Sequence, residues 1–465
     1  MDEHNAAALS IVVMAAGKGT RMKSAKPKVL HLLAGRSLLH HVLTTTAALG
    51  AQRTIVVTGH EAASVEQAVA GLPGVHCVRQ QPQQGTGHAV QQAVPRLPDG
   101  VGGTTLVLNG DVPLIEAATA RALVAASGGQ RLALLTVELQ DADGYGRIVR
   151  NDKQEVRAIV EDRDASASQR AICEIYTGIL AAPTAWLKRA VMALANDNAQ
   201  QEYYLTDIVA AAVAEGLPVV STPARDETEV LGVNSAQQLA ELERRFQRRQ
   251  AEALMNEGVR LADPARFDLR GTLRCGQDVA IDVGCIFEGE VALADGVSIG
   301  AHCVIRNARI EAGAVIEPFT HMNGATVGAG AQVGPFARLR PGAALGAEVH
   351  IGNFVEVKNA TLAAGTKANH LAYLGDATVG ERVNFGAGSI TANYDGANKH
   401  RTVIGNDVHV GSNCVLVAPM TLGDGATIGG GSTIAKDAPA GKLTLARAPQ
   451  VSIEGWVRPK KSPPK

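Results

Sequence analysis

Residues 404–434 read IGNDVHVGSNCVLVAPMTLGDGATIGGGSTI, with Ile404, Val410, Leu416, Leu422, Ile428 and Ile434 recurring every six residues. A helix repeats near 3.6 and a half-buried strand at two, so a period of six fits neither. It fits the hexapeptide β-helix, where three hexads close one triangular coil and the apolar residue fills the interior. The same spacing runs through Ile281, Phe287, Leu293, Ile299 and Ile305, and again through Val327, Val333, Leu339, Leu345, Ile351 and Val357. Glycine often follows the apolar residue, as in Ile299-Gly300, Val333-Gly334, Ile404-Gly405 and Val410-Gly411. Of 50 glycines in 465 residues, 28 lie between Gly271 and Gly441, and aromatics are only 3%. Both facts suit a repeat with tight corners.

The register breaks once. Phe385 to Ile404 is one residue longer than three hexads, and the stretch contains the polar run Asn393-Tyr394-Asp395-Gly396-Ala397-Asn398-Lys399. This predicts a loop leaving the coil, a common place for function. After Arg447 the period is lost, and the basic, Pro-rich end is expected to be disordered.

Upstream, Ser235 to Glu257 has no Gly or Pro and carries Leu239, Leu242, Phe246 and Leu254 near one stripe. Ser235 suits its N-cap and Gly258 its end, which predicts one long connecting helix. Before it, apolar runs at Ile11–Ala15, Thr54–Thr58, Thr105–Asn109 and Leu132–Glu138 alternate with helical patterns such as Leu38–Leu49 and Ala62–Val69. That alternation predicts a parallel α/β sheet covered on both faces. The domain boundaries read 1–234, a linker helix 235–257, and a β-helix with its tail from 258 to 465.

Composition narrows the partners. Lys+Arg is 44 and Asp+Glu is 45, a net charge of −1. No general field favours nucleic acid or an anionic membrane, so phosphate binding must come from local sites. No apolar run reaches a membrane span, and Met1 to Ser10 lacks a signal-peptide core. Six scattered cysteines with no C-x-x-C pair read as reduced, buried thiols in a cytoplasmic protein.

The first strand runs into Met14-Ala15-Ala16-Gly17-Lys18-Gly19-Thr20-Arg21-Met22. Its glycines let backbone N–H groups approach phosphate, Arg21 offers a bidentate donor and Lys28 a second cation. A merely structural glycine turn also fits this stretch. Gln80 to Gly87 (QQPQQGTG) can hydrogen-bond a base edge. Asp111, just past an apolar strand, suits Mg²⁺ among phosphates and waters, or a helix N-cap.

Several motifs occur in order: G-x-G-T-R-M, P-K-x-L, Q-G-T-G, N-G-D-x-P-L, Gly144-Tyr145-Gly146-Arg147-Ile148, Ile159-Val160-Glu161, Glu202-Tyr203-Tyr204-Leu205-Thr206-Asp207 and Gly232-Val233-Asn234. Together they resemble the sugar-1-phosphate nucleotidyltransferases. With the hexapeptide half, residues 10 to 458 resemble the bacterial bifunctional N-acetylglucosamine-1-phosphate uridyltransferase/glucosamine-1-phosphate acetyltransferases. The resemblance implies a Rossmann-like nucleotidyltransferase domain, a linker helix and a left-handed parallel β-helix, assembled as a homotrimer. The implied substrates are glucosamine 1-phosphate, acetyl-CoA, N-acetylglucosamine 1-phosphate and UTP, with Mg²⁺ as cofactor. No role for nucleic acid or membrane is implied.

Roles carry over by position. Ala15, Ala16, Gly17, Arg21 and Lys28 would hold the UTP phosphates, with Arg21 and Lys28 carrying the rate. Gln80, Gly85 and Thr86 would read uracil. Asn109 and Gly110 flank Asp111, which with Asn234 would bind Mg²⁺. Gly146 and Glu161 would contact the amino sugar, with Thr177 beside them. Tyr176 departs from the family, which usually has Asn before Thr-Gly. In the β-helix, Asn369-His370-Leu371-Ala372-Tyr373-Leu374-Gly375-Asp376 matches the family segment whose His is the general base. Glu356 would orient His370, and Arg340, Lys358, Tyr373 and Asn384 would bind the sugar phosphate, leaving Arg338 structural. Ala387, Asn393, Tyr394, Ser412, Gly430 and Arg447 would line the acetyl-CoA site, with Gly430 replacing a frequent Ala. A nucleotidyltransferase with a purely structural β-helix is the alternative reading, and a non-enzymatic assembly subunit is a third.

Overall fold

A computed structural model describes residues 8–99, 102–198 and 200–460. The first residues of the polar N-terminus and the final Pro-rich residues, 461–465, lie outside the described residues. The chain divides into two compact units, Met1–Phe246 and Gln247–Lys465. Among the described residues no helix is long and apolar enough to cross a membrane.

The first unit is built on a nine-stranded sheet whose centre is Thr104–Asn109, Leu9–Ala15 and Arg53–Thr58, paired in parallel. Alternate residues of each strand feed two cores. Ile11, Val13 and Ala15 enter one with Val56, Leu106 and Leu108. Val12 enters the other with Ile55, Val57 and Val107. Burial on both faces follows from continuously apolar strands. The sheet is mixed, however, and not parallel throughout. Glu174–Pro183 runs antiparallel to both Thr104–Asn109 and Leu132–Glu138. Strand direction depends on how the chain returns to the sheet, and local apolarity carries no record of that.

The pairing Met14↔Asn109 aligns the ends of the two central strands. The loop after Ala15 and the Gly110-Asp111 turn therefore leave the sheet side by side, at the edge where open α/β sheets bind ligands.

The long helix is Ala236–Asn256. Leu242 is buried in the first unit, with Leu239 and Phe246 packed partly buried beside it. Ala251 and Leu254 belong to the core of the second. Gln247 is buried and hydrogen-bonds both ways with the Leu269 backbone, at 2.7 and 3.0 Å, tying the middle of the helix to the first coil of the second unit.

In the second unit every residue of the three six-residue arrays is buried, none more than 5% exposed. Parallel pairs stack Ile281 on Ile299, Ile299 on Ile316, Ile316 on Val333, Val333 on Ile351, Ile351 on Ala368 and Ala368 on Phe385. One coil is thus three hexads, or one residue short of that. The next step, from Phe385 to Val410, is longer by more than a hexad. The surplus leaves the coil between Ile390–Ala392 and Thr402–Ile404, where Tyr394 and Lys399 bridge across a small hairpin.

One corner carries bulky residues. His302, Phe319, Phe336, Phe354 and Leu371 succeed one another a coil apart, all with φ between 48° and 61°. The rings from His302 to Phe354 stack at centroid separations of 5.2, 4.9 and 5.5 Å. A left-handed residue with a side chain costs about 1–2 kcal/mol, and each ring pair returns about 0.5–1.5 kcal/mol. All six cysteines are free. Cys285, Cys303 and Cys414 are buried in the β-helix, whereas Cys173 is exposed, contrary to expectation.

Candidate functional sites

At the carboxyl edge of the first unit's sheet lies a cavity of 480 Å³, lined among others by Ala15, Ala16, Gly17, Lys28, Gln80, Gly85, Thr86, Asn109 and Asp111. A second, of 200 Å³, shares Met14, Thr86 and Asn109 with it and adds Gly146, Glu161, Tyr176 and Thr177. Most sequence-predicted residues of this unit therefore line one continuous cleft. Arg21 does not; it is exposed beyond the lining, on the short turn Thr20–Met22. Gly110 serves through its backbone, its N–H donating to the Met14 carbonyl at 2.9 Å.

The loop from Gly17 to Gly19 passes close over Lys28. A Cβ on Gly19 would fall 2.7 Å from Lys28 Cβ, and its φ is +60°, so both space and backbone call for glycine. The Lys28 ammonium donates to Asp111 Oδ2 and, at 2.9 Å, to Asn234 Oδ1. Three distant parts of the chain thus converge on one cation, and their two oxygens face one point.

Gln80 is buried, and its amide donates to the Gly85 carbonyl at 2.9 Å, bracing the loop it was expected to read a base from. Gly85 has φ +100°, and a Cβ there would lie 2.7 Å from the Tyr203 carbonyl oxygen. Glu202 and Gln83 also line the large cavity. Neither was assigned a role from sequence, although the motif containing Glu202 was visible there. Thr177 turns its hydroxyl to the Leu135 carbonyl at 2.9 Å, away from the cleft. Glu161 accepts from Thr206 at 3.0 Å, and burial pushes its carboxyl above the ordinary value.

In the β-helix, coil stacking decides which residues meet. Asn353 stacks on His370, and Glu356 on Tyr373. His370 Nδ1 lies 3.0 Å from Asn353 Oδ1. Glu356 instead accepts from Arg340 at 2.8 Å and lies 3.5 Å from Arg338. The structure thus gives His370 Nδ1 to Asn353 and Glu356 to the two arginines: Glu356 is three positions along the coil from the residue under His370. Counting back one coil from His370 lands on Asn353, so the spacing held the signal.

Above His370 the same corner climbs through the residues expected to hold acetyl-CoA. The Gly388 N–H donates to the His370 carbonyl, Asn413 to Ala387 and Gly431 to Ser412. Arg447 Nη1 then donates to the Gly430 carbonyl at 2.8 Å. His370, Ala387, Ser412 and Gly430 form one column, three steps of about 4.8 Å tall. Asn384 stands three residues before Ala387, against His409 at 3.2 Å.

The inserted loop closes over the neighbouring face. Asn393, buried, donates to Asp376, as does Asn359 at 2.5 Å. Burial raises the Asp376 carboxyl, but these donors and the nearby Lys358 and Lys399 bring it below its ordinary value. Lys399 itself is lowered by its contact with Lys358, and Tyr373 lies close enough to act on both Lys399 and Arg340. Tyr394 is exposed, its hydroxyl donating to the Gly396 carbonyl at 2.6 Å. Asp376 and Lys399 were in view in the sequence but were given no role there.

Family models match in the same order as the folds. A MobA-like NTP transferase domain matches residues 11–261, a GMPPB C-terminal domain 269–361 and a bacterial transferase hexapeptide (six repeats) 401–436. The bifunctional protein GlmU of Methylibium petroleiphilum is 72% identical over 97% of this chain and 99% of its own. The chain belongs to the GlmU family. Other GlmU proteins, from Paracidovorax citrulli and Albidiferax ferrireducens, are 65% and 63% identical over 98% and 97% of the chain and 99% and 100% of their own. GlmU proteins are named as bifunctional, and this chain carries two separately built candidate sites, the cleft of the first unit and the His370 column of the second.

The inserted loop is anchored at Asp376, whose lowered pKa means that the anchor is complete above the ordinary aspartate value of 3.8 and is lost as pH falls below it. Asp376→Ala should remove the anchor at neutral pH. Amide exchange across residues 391–401 should then accelerate at least tenfold while protection of the coils is unchanged. An unaltered loop would contradict this.

Proposed function

We propose that the second unit acetylates glucosamine 1-phosphate from acetyl-CoA, and that the first joins the resulting N-acetylglucosamine 1-phosphate to UTP. The products are UDP-N-acetylglucosamine and pyrophosphate. The observation that carries this reading is the column rising from His370 through Ala387, Ser412 and Gly430 to Arg447. A scaffold has no use for an exposed imidazole at the foot of such a column.

The acetyl transfer follows from the imidazole. Asn353 Oδ1 can only accept, so Nδ1 carries the proton and Nε2 the lone pair. Nε2 takes a proton from the sugar's amine as the nitrogen attacks the thioester carbonyl, and the thiolate of CoA leaves. Arg340, Lys358 and Lys399 supply the positive field for the sugar phosphate, beside Tyr373. Arg447, at the far end, suits a CoA phosphate.

In the first unit no covalent nucleophile is needed. The sugar phosphate attacks the α-phosphorus of UTP, and positioning with charge neutralisation supplies the rate. Asp111 and Asn234 direct two hard oxygens to one point, a set that suits Mg²⁺ completed by phosphate oxygens and waters. The ion would neutralise charge on the phosphates when bound. Lys28 pairs with those two oxygens in the ligand-free chain and would turn to phosphate once the ion takes its place, and Arg21, exposed on its turn outside the cavity lining, is a further phosphate donor by resemblance alone. The 200 Å³ cavity beside Asn109 is the sugar subsite, and the larger one takes the nucleotide.

The enzyme is further proposed to be a cytoplasmic homotrimer. Phe319, Phe336, Phe354 and Leu371 leave about half or more of their surface exposed in one stripe, and Leu371 directly follows His370. A continuous apolar stripe of this kind marks an interaction surface. Free thiols in every cysteine suit a reducing compartment.

Purified protein given glucosamine 1-phosphate, acetyl-CoA, UTP and Mg²⁺ should yield UDP-N-acetylglucosamine by mass spectrometry. His370→Ala should do so only when supplied with N-acetylglucosamine 1-phosphate. Wild-type protein that never acetylates would reduce the β-helix to a scaffold. For the assembly, Phe336→Glu with Phe354→Glu should shift sedimentation from trimer to smaller species and cut acetyl transfer at least tenfold, with uridyl transfer retained. A monomeric double variant with full acetyltransferase activity would show that acetyl transfer does not depend on the assembly and would refute this reading.

A further inference from the structure

The Asp111 carboxylate and the Asn234 amide oxygen come from distant parts of the chain, and both accept from the Lys28 ammonium. Among the described residues it is the one cation that either oxygen pairs with. The Asp111 and Lys28 side chains keep only 21% and 14% of their surface exposed. A carboxylate so far out of water is costly without a counter-charge, and Lys28 supplies one from within the chain. The ammonium thus stands on the same two oxygens that suit Mg²⁺.

The stem of Lys28 has little freedom to leave. Its Cβ packs against the loop at Gly19, where an added Cβ would come within 2.7 Å. Lys28 also opens the short turn Lys28–Leu30, which is fastened by the buried Val29. Only the far end of the side chain can swing, and it does so within the 480 Å³ cavity that Lys28 lines together with the Ala15 to Gly19 loop. The loop proposed to hold phosphate therefore lies within reach of the ammonium once it is released.

These constraints decide how a divalent ion and a triphosphate can enter. An ion entering alone must dislodge a tethered cation and then share an enclosed space with it, against their mutual repulsion. A triphosphate entering alone finds Lys28 committed to Asp111. When both are present, the oxygens hold the ion, the ammonium turns to phosphate, and every charge is paired. We propose that Lys28 is a placeholder counter-ion, which keeps divalent ions off Asp111 and Asn234 until a nucleoside triphosphate is there to receive its ammonium. Ion and triphosphate then depend on one another, each raising the affinity for the other by the same factor. The inference rests on reading Asp111 and Asn234 as the ligands of the ion.

The test measures Mn²⁺ binding to the full-length protein without nucleotide, by electron paramagnetic resonance. Lys28→Met should bind Mn²⁺ at least tenfold tighter than wild type. Adding Asp111→Asn to that variant should abolish the gain, which locates the ion at the carboxylate. Lys18 lines the same cavity and pairs with neither oxygen, so Lys18→Met should leave Mn²⁺ affinity as it is. A second measurement needs no variant. In wild type, acetic anhydride should label the Lys28 amine at least threefold faster with saturating Mn²⁺ than in EDTA, while the rate at Lys18 stays the same. An unchanged Mn²⁺ affinity in Lys28→Met, an equal gain in Lys18→Met, or a Lys28 labelling rate indifferent to Mn²⁺ overturns the placeholder. Wild-type protein that takes up no Mn²⁺ even with UTP present overturns the Mg²⁺ assignment as well, which separates the two failures.

Discussion

Backbone pairing between successive coils is the constraint on which the second unit depends. Each coil must return its N–H groups under the carbonyls of the last, and three hexads, or one residue fewer, do so. Any surplus has to leave the stack. The one long step, between Phe385 and Val410, expels the loop around Asn393 to Lys399 and sets it against Asp376 and Lys358. The same pairing lines up His370, Ala387, Ser412 and Gly430, residues far apart in the chain, because each coil repeats the last. Coil length thus determines both the column above His370 and the loop beside it.

The first unit meets a different constraint with the same economy of means. Its chemistry needs cations held at the edge of a sheet, where charge is costly unless paired. Lys28, Asp111 and Asn234 pair with one another, so the cleft keeps its charges in place before any ligand arrives. The glycine at 19 lets the loop settle on Lys28, and the parallel register of Leu9–Ala15 with Thr104–Asn109 brings Asp111 to it.

The β-helix was legible because its pattern has only one solution: a lone apolar residue in each hexad can face only inward. The long helix and the four short strands were legible for similar local reasons. The antiparallel strand Glu174–Pro183 was not, since its direction is decided by the chain's path and not by its composition. The partner of His370 was missed for an instructive reason. Resemblance supplied Glu356, while the coil repeat itself points to Asn353. Most of the residues that line the first unit's cleft could be named from its motifs. The internal duties of Gln80 and Thr177 emerged only from which atoms their side chains reach.

The central claim is that stacked corners of the β-helix form one continuous binding column with His370 at its foot. A crystal structure with CoA bound tests it most directly. The account predicts the thiol beside His370, the pantetheine arm running past Ala387, Ser412 and Gly430, and a phosphate near Arg447. CoA bound along another face, with its thiol away from His370, would contradict it.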